Sequence, residues 1–292
     1  MFALLQSPET LGIVIGISFG VISRLLMLRT DYRQYPTYPH GRIIHISLGV
    51  IAAALGAIVI PALLTKNYTA VTFLSLAAQQ FREVRSMERK SLAEADKMDL
   101  VPRGTSYIEG IAMVFEGRNY LVIFSSFVAS FCSIIFSWYW GIAAGILSLF
   151  ITKKFQSGKN LWQIADIRIG KVRVDGPDVF VDSIYIMNVG LKENQQMIRQ
   201  HGFGLIVLPK TKSAKITIAN LGQRQAILHN LSTILGVYRD SGEPALIPMA
   251  KLDLNSGELA VFILPQEKDA QKAIEALKRV PVLETAVRLP SA

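Results

Sequence analysis

The chain has 292 residues, 51% of them hydrophobic, and its mean hydropathy of +0.35 is too high for an ordinary soluble protein. The formal net charge is +9. Most of the excess lies beside apolar segments, a pattern typical of membrane proteins that keep positive loops inside the cell. No basic patch with interleaved aromatic residues occurs, so the sequence does not favour nucleic acid as a partner. Cys132 is the only cysteine, which excludes an intramolecular disulfide or a cysteine-rich zinc site.

Residues 11–28 form the first predicted transmembrane helix, because neither a basic leader nor a cleavage site marks them as a signal peptide. Gly12, Gly16 and Gly20 recur at every fourth position and therefore share one face of this helix. Such a face lets a second helix backbone approach closely. A chance placement of glycines is the alternative for any one pair, but the tandem spacing favours a packing face.

Residues 43–64 form the second and clearest predicted span. A third crossing is predicted near residues 64–81, continuing as a charged helix towards residue 99. Its apolar part is short, so an interfacial helix that never crosses is the alternative. The basic residues from Arg82 onward favour a crossing that returns the chain to the cytoplasm.

Two carboxylates, Glu109 and Glu116, lie just before the longest apolar run of the chain. They are separated by two helical turns, so both project from one helix face. In a structural interpretation, Ser106 caps the helix and Glu109 completes a Ser-x-x-Glu capping box. In a functional interpretation, the two carboxylates border a polar cavity, and Arg118 neutralises Glu116.

The hexapeptide Tyr107-Ile-Glu-Gly-Ile-Ala resembles the signature for which the YIEGIA family is named, and the hydropathy layout of the whole chain is similar to that family. These are bacterial membrane proteins of endospore-forming Firmicutes. The resemblance implies a sporulation-linked membrane protein that works with a small capping subunit. It implies no reaction, cofactor or catalytic residue. The candidate functional residues come from the signature and from the carboxylate stretch itself, and they are Tyr107, Glu109, Glu116 and Arg118.

Residues 119–151 are apolar throughout, and as one helix they would measure ~50 Å, longer than the ~30 Å hydrocarbon core. Two crossings hinged at residues 137–141 fit this run better. Lysines at 153, 154 and 159 then return the chain to the cytoplasm. The prediction for residues 1–160 is an all-α membrane domain with about five transmembrane helices, its N-terminus outside the cell.

Residues 161–292 show strand alternation and turn residues instead, which predicts a cytoplasmic α+β domain. Its last part predicts a ferredoxin-like βαββαβ unit. The elements expected there are strands at 215–219, 245–252, 259–264 and 282–287 and helices at 223–235 and 268–278.

No catalytic, cofactor-binding or metal-binding motif stands out, so the sequence predicts a protein that is not an enzyme. We expect a structural or assembly component of a sporulation-linked membrane complex, embedded in lipid and forming a homo-oligomer or a hetero-complex. The alternative is a channel or transporter subunit in which Glu109 and Glu116 line a polar path. Assembly is favoured because the predicted spans carry almost no charge apart from Arg24.

Overall fold

The computed structural model describes residues 7–33, 39–156, 158–240, 243–244 and 246–287. The chain divides into two compact units. The first combines Met1–Arg89 with Ile111–Ser157, and the second combines Lys90–Gly110 with Gly158–Arg288. The sequence placed residues 90–110 with the helices before 160, whereas in the structure they pack with the second unit, and the boundary falls inside two long helices.

Five long helices make up most of the chain before residue 155 in the described part. The first begins with Ser7 as its cap, whose hydroxyl accepts a hydrogen bond from the Thr10 amide, and with Pro8 at its first position. The helices are α1 (Pro8–Asp31), α2 (Pro39–Leu64), α3 (Tyr68–Asp96), α4 (Thr105–Ile135) and α5 (Trp138–Lys154).

Among the described residues, three helices are long and apolar enough to cross a membrane: α1, residues Gly41–Leu64 of α2, and α4. This indicates membrane association. The second half of α3 is charged, and α5 has only 17 residues. The expected break in the long apolar run lies at Phe136 and Ser137, so Gly141 is already helical and does not turn the chain.

The second unit contains two antiparallel sheets. The larger has the strand order β1-β5-β9-β8 and the smaller the order β2-β3-β4. Their strands are β1 (Ala165–Gly170), β2 (Val172–Asp175), β3 (Asp178–Val181), β4 (Ile184–Asn188), β5 (Phe203–Pro209), β8 (Met249–Leu252) and β9 (Leu259–Ile263), while β6 (Arg239–Asp240) and β7 (Glu243–Pro244) form a short separate pair.

The helices of this unit are α6 (Leu161–Ile164), α7 (Lys192–His201), α8 (Lys212–Ala219), α9 (Leu221–Leu235) and α10 (Ala270–Arg279). Helices α8, α9 and α10 pack against the larger sheet, and strands β3 and β4 pack against it as well. The central strands β5 and β9 are apolar along most of their length, because both of their faces are covered. Ile206 and Phe262 belong to the core cluster shared with the smaller sheet.

Two predicted strands are wrong. Residues 215–219 belong to helix α8, whose cap Thr211 accepts a hydrogen bond from the Ala214 amide. The buried residues Ala214, Thr217 and Ile218 follow helical spacing, which outweighs the local alternation of apolar and polar residues. Residues 282–287 form no strand, since this stretch contains a 3-10 helix at Glu284–Ala286. Just before that helix, the Leu283 amide donates to the buried Gln223 side chain at 2.8 Å, so it makes no hydrogen bond to a neighbouring strand.

Candidate functional site

The first unit contains a buried ion network of two arginines and one aspartate. Arg24 of α1 donates from Nη1 to Asp31 Oδ2 at 3.1 Å, and Arg118 of α4 donates from Nε to Asp31 Oδ1 at 2.9 Å. The side chains of Arg24, Asp31 and Arg118 are only 1%, 8% and 3% exposed. One carboxylate is therefore shared by two guanidinium groups and links α1 to α4.

Helical spacing positions this network. Arg24 and Asp31 are two turns apart on α1, so both side chains lie on the same face. The Arg24 Nε also donates to the main-chain oxygen of His45 at 3.3 Å, which adds α2 to the linked helices. The Arg24 guanidinium lies 5.2 Å from the Phe115 ring centroid, and the buried His45 ring lies 4.5 Å from that same centroid. The Phe115 ring therefore lies within cation–π range of the buried Arg24 charge.

A stripe of polar residues continues along the inner face of α4. Asn119, Ser126, Ser130 and Ser133 are all buried and recur at helical spacing. The hydroxyls of Ser126 and Ser130 donate to the main-chain oxygens of α2 one turn apart. Within the described part of the chain, the Asn119 amide and the Arg24 Nη2 have no hydrogen-bond partner.

The tandem glycines of α1 lie against this stripe. Gly12, Gly16 and Gly20 are buried. A Cβ atom built on Gly16 would lie 2.8 Å from the Ser126 main-chain oxygen. One built on Gly20 would lie 2.6 Å from the Cβ of Ala53 in α2. Both glycines therefore occupy places where a neighbouring helix leaves no room for a side chain.

The residues Tyr107 and Glu109 lie in the second unit. The Tyr107 amide donates to the Gln225 side chain of α9 at 2.9 Å, and its buried ring meets the edge of His229. Helix α4 begins at Thr105, so Ser106 lies inside the first turn and is not the cap that the capping-box interpretation requires. Glu109 is half-buried.

The expected pairing of Arg118 with Glu116 is replaced by two other ion pairs. Arg118 binds Asp31, as described above, and Glu116 accepts from Arg85 of α3 at 3.1 Å. Positions 116 and 118 are two residues apart and do not face each other on a helix, which explains the difference. The Tyr120 hydroxyl donates to the other Glu116 oxygen at 3.3 Å.

Sequence reasoning missed Asp31 and Asn119. Asp31 is the last residue of α1, and Asn119 lies at the start of the long apolar run in α4. A polar residue at either position gives no signal on its own. The signal was Arg24, because an arginine in an apolar helix requires a partner and Asp31 lies on its face. Among the residues that the structure describes, no group of three or more histidine, cysteine, aspartate or glutamate side chains could hold a metal ion. The arrangement can hold and orient charge between helices.

Comparisons with known proteins give one family and one relative. A sequence model described as "YIEGIA protein" matches residues 12–292. The relative, described as "Uncharacterized protein YphB" from Bacillus subtilis (strain 168), is 53% identical over 279 residues, which cover 96% of this chain and 94% of the relative. No solved structure matches.

Proposed function

The chain belongs to the YIEGIA family, and from this premise we propose that it is a structural, non-catalytic component of a membrane complex linked to sporulation. The observation that carries the proposal is that most of the buried polar groups described above in the first unit bind one another or the backbone of a neighbouring helix. Its arginines bind a carboxylate and a backbone oxygen, and its serines bind backbone oxygens of a neighbouring helix. Groups used in this way hold helices together and leave few sites for a passing solute.

We place the first unit across the bacterial cell membrane with five crossings and the second unit in the cytoplasm. Helix α5 measures ~26 Å at 1.5 Å per residue, close to the ~30 Å hydrocarbon core. Lys153 and Lys154 end it on the cytoplasmic side. Labelling a cysteine placed at Ser291 should fail from outside intact cells and succeed after permeabilisation, and labelling from outside would refute this topology.

For the second unit we propose a variant of the ferredoxin-like split arrangement. The antiparallel order β1-β5-β9-β8 supports it, with helices between β5 and β8 and a further helix after β9. The strand that pairs with β5 at the edge of the sheet is β1, which lies earlier in the chain, and not residues 282–287 as the sequence predicted. This unit would supply contacts to partner chains, either further copies or a small capping subunit.

A channel or transporter subunit is the second candidate function. The specific observation in its favour is the buried Asn119 amide and the Arg24 Nη2, which lack hydrogen-bond partners among the described residues. Buried polar groups of this kind in a membrane helix occur where water or a solute passes. Glu109 and Glu116 are the further residues that this hypothesis requires.

The double variant Glu109→Gln, Glu116→Gln separates the two functions. The structural proposal predicts normal sporulation efficiency, because the Arg85 pair with Glu116 is partly exposed and contributes little. A polar path that depends on carboxylate charge predicts loss of sporulation at unchanged membrane abundance. Both quantities should be measured in the same cells, with Glu83→Gln as the control variant. Loss of sporulation at full abundance would favour transport over assembly.

A further inference from the structure

The second unit is built from two separate stretches of the chain, Lys90–Gly110 and Gly158–Arg288. The first stretch holds the end of α3, the first turns of α4 and the connection between them. Both helices run without a break across the boundary into the first unit. We call residues 99–110 the latch segment, because it belongs to the second unit while the helices on either side of it continue into the first.

The turn between α3 and α4 is fixed by the last residue of α3. The two oxygens of Asp96 accept hydrogen bonds from the backbone amides of Arg103 and Gly104, at 2.7 and 3.1 Å. The Arg103 guanidinium lies 3.4 Å from Asp96 and 2.5 Å from Asp99, and its side chain is only 16% exposed. Gly104 has a φ of +88°, a conformation that favours glycine. The latch segment therefore has a defined shape that another element can bind.

Helix α9 binds the latch segment on both sides of this turn. His229 Nδ1 donates to the Val101 main-chain oxygen at 2.8 Å, and the Tyr107 amide donates to the Gln225 side-chain oxygen at 2.9 Å. The partners are 128 and 118 positions apart in the chain. Both bonds use main-chain groups of the latch segment, so they depend on the path of its backbone.

Close packing adds to these bonds. A Cβ atom built on Gly222 of α9 would lie 2.9 Å from the Ser106 main-chain oxygen. One built on Gly110 would lie 2.9 Å from the Thr285 hydroxyl. The side chain of Ile108 is 3% exposed. The surfaces on the two sides of the latch segment therefore leave no room for a larger residue at either glycine.

We propose that the latch segment attaches the second unit to the helices of the first, and that this attachment does not need the covalent connection at residue 158. It passes through two continuous helices, so a partner that binds the second unit acts on α3 and α4 through rigid elements. Residues 107–110 of the family signature lie in the latch segment. Their role is the same whether the chain is an assembly component or a transporter.

The first test cuts the covalent connection in the full chain. A recognition site for a specific protease is inserted after Gln156, and the cut protein is followed by size-exclusion chromatography in mild detergent. The fragment that begins at residue 157 should stay with the helices of the first unit, because α9 still holds the latch segment. Gly222→Val forces a side chain against Ser106 and should speed dissociation by about tenfold or more. Gly190→Val is the matched control, because a Cβ there meets no atom within 4 Å, and it should leave dissociation unchanged.

A polar pair of variants separates loss of a bond from loss of the fold. Gln225→Ala removes the acceptor of the Tyr107 amide and should also speed dissociation. Gln225→Glu keeps an acceptor oxygen and should retain most of the attachment. Alanine favours a helix, so the first change carries little risk to α9. Circular dichroism of each variant shows whether it is folded.

The chain also contains its own reporter of the latch segment. Residues 100–104 read Leu-Val-Pro-Arg-Gly, a sequence that thrombin cleaves after the arginine. The unchanged protein should resist this cleavage, because Asp96 binds the amides of Arg103 and Gly104. Gly222→Val should be cut about tenfold faster, and Gly190→Val should be cut no faster than the unchanged protein.

Three results would overturn the proposal. One is immediate release of the fragment when the connection of the unchanged protein is cut. Another is equal dissociation of the fragment from Gly222→Val and from Gly190→Val, which would show that other contacts hold the second unit. The third is rapid cleavage of the unchanged protein by thrombin at Arg103, which would show that the latch segment is not bound.

Discussion

The interiors of the two units are built from different residues. In the first, the buried set includes Arg24, Arg118 and Asn119 together with glycines and serines. In the second, the fully buried side chains include Leu205, Ile206 and Phe262. Helices in lipid gain little by burying apolar groups against each other, so close backbone contact and polar links hold them together. In water, the burial of apolar surface stabilises the fold. The contrast predicts that the two units respond to different substitutions.

The largest effect is expected for Asp31→Asn. This change removes the carboxylate charge that the buried Arg24 and Arg118 both bind, and breaking a buried ion pair costs about 3–5 kcal/mol. Membrane abundance of the full chain and its thermal stability in detergent should both fall strongly. Glu9→Gln, an exposed position on the same helix, is the matched control and should change neither. Similar stability of the two variants would refute a structural role for the network.

The second unit should respond most to loss of aliphatic volume. Ile206→Ala removes a fully buried side chain from the core between the sheets, at a cost of about 2–5 kcal/mol. The control is Ile51→Ala in α2, where half of the side chain is exposed on the first unit. Thermal unfolding should detect a large decrease for the first variant and a small one for the second. Equal decreases would remove the contrast between the two interiors.

Glycine substitutions sharpen the comparison within the helical unit. Gly16→Ala places a Cβ against the backbone of α4 and should destabilise the unit by about 1–3 kcal/mol through overpacking. Gly117→Ala is the control, because a Cβ there meets no atom within 4 Å. Alanine favours helix over glycine by up to ~1 kcal/mol, so this variant should be neutral or slightly more stable. The difference in melting temperature between the two variants measures the packing term.

The smallest effect concerns pH and belongs to the second unit. The pKa of His229 is lowered in the folded chain, mainly by burial, whereas an unfolded histidine titrates near 6.5. The unfolded state therefore binds a proton that the folded state resists, and stability falls as the pH drops below about 6.5. His229→Gln can keep the bond to Val101 and should flatten this dependence. Thermal unfolding between about pH 7.5 and 5.5 checks it, and an unchanged pH slope in the variant would contradict it.

The sequence predicted the positions of the apolar helices better than it predicted which polar residues bind each other. The apolar runs around Gly16 and after Asn119 located α1, α4 and α5, because membrane-length hydrophobic segments are local features. The partner of Arg118 could not be predicted in the same way, since Asp31 is far away in sequence and only the packing of α1 on α4 brings them together. The strand predicted at residues 215–219 was wrong for a related reason, because tertiary burial of a helical face overrode a strand-like alternation.

The family signature shows the same difference between local pattern and long-range contact. Its six letters identified the family, but they gave no role for Tyr107. That residue contacts Gln225 and His229 of α9, more than a hundred positions later in the chain. Contacts of this length depend on the folded second unit, and no local pattern around residue 107 encodes them.

The central claim is that this chain works as part of an assembly and not as a solitary path through the membrane. The most direct measurement is the native mass of the full chain after extraction from sporulating cells in a mild detergent. The account predicts a discrete particle that contains more than one protein chain and therefore exceeds the 32.3 kDa of a single copy. A single chain that dissipates an ion gradient when reconstituted into liposomes would contradict it.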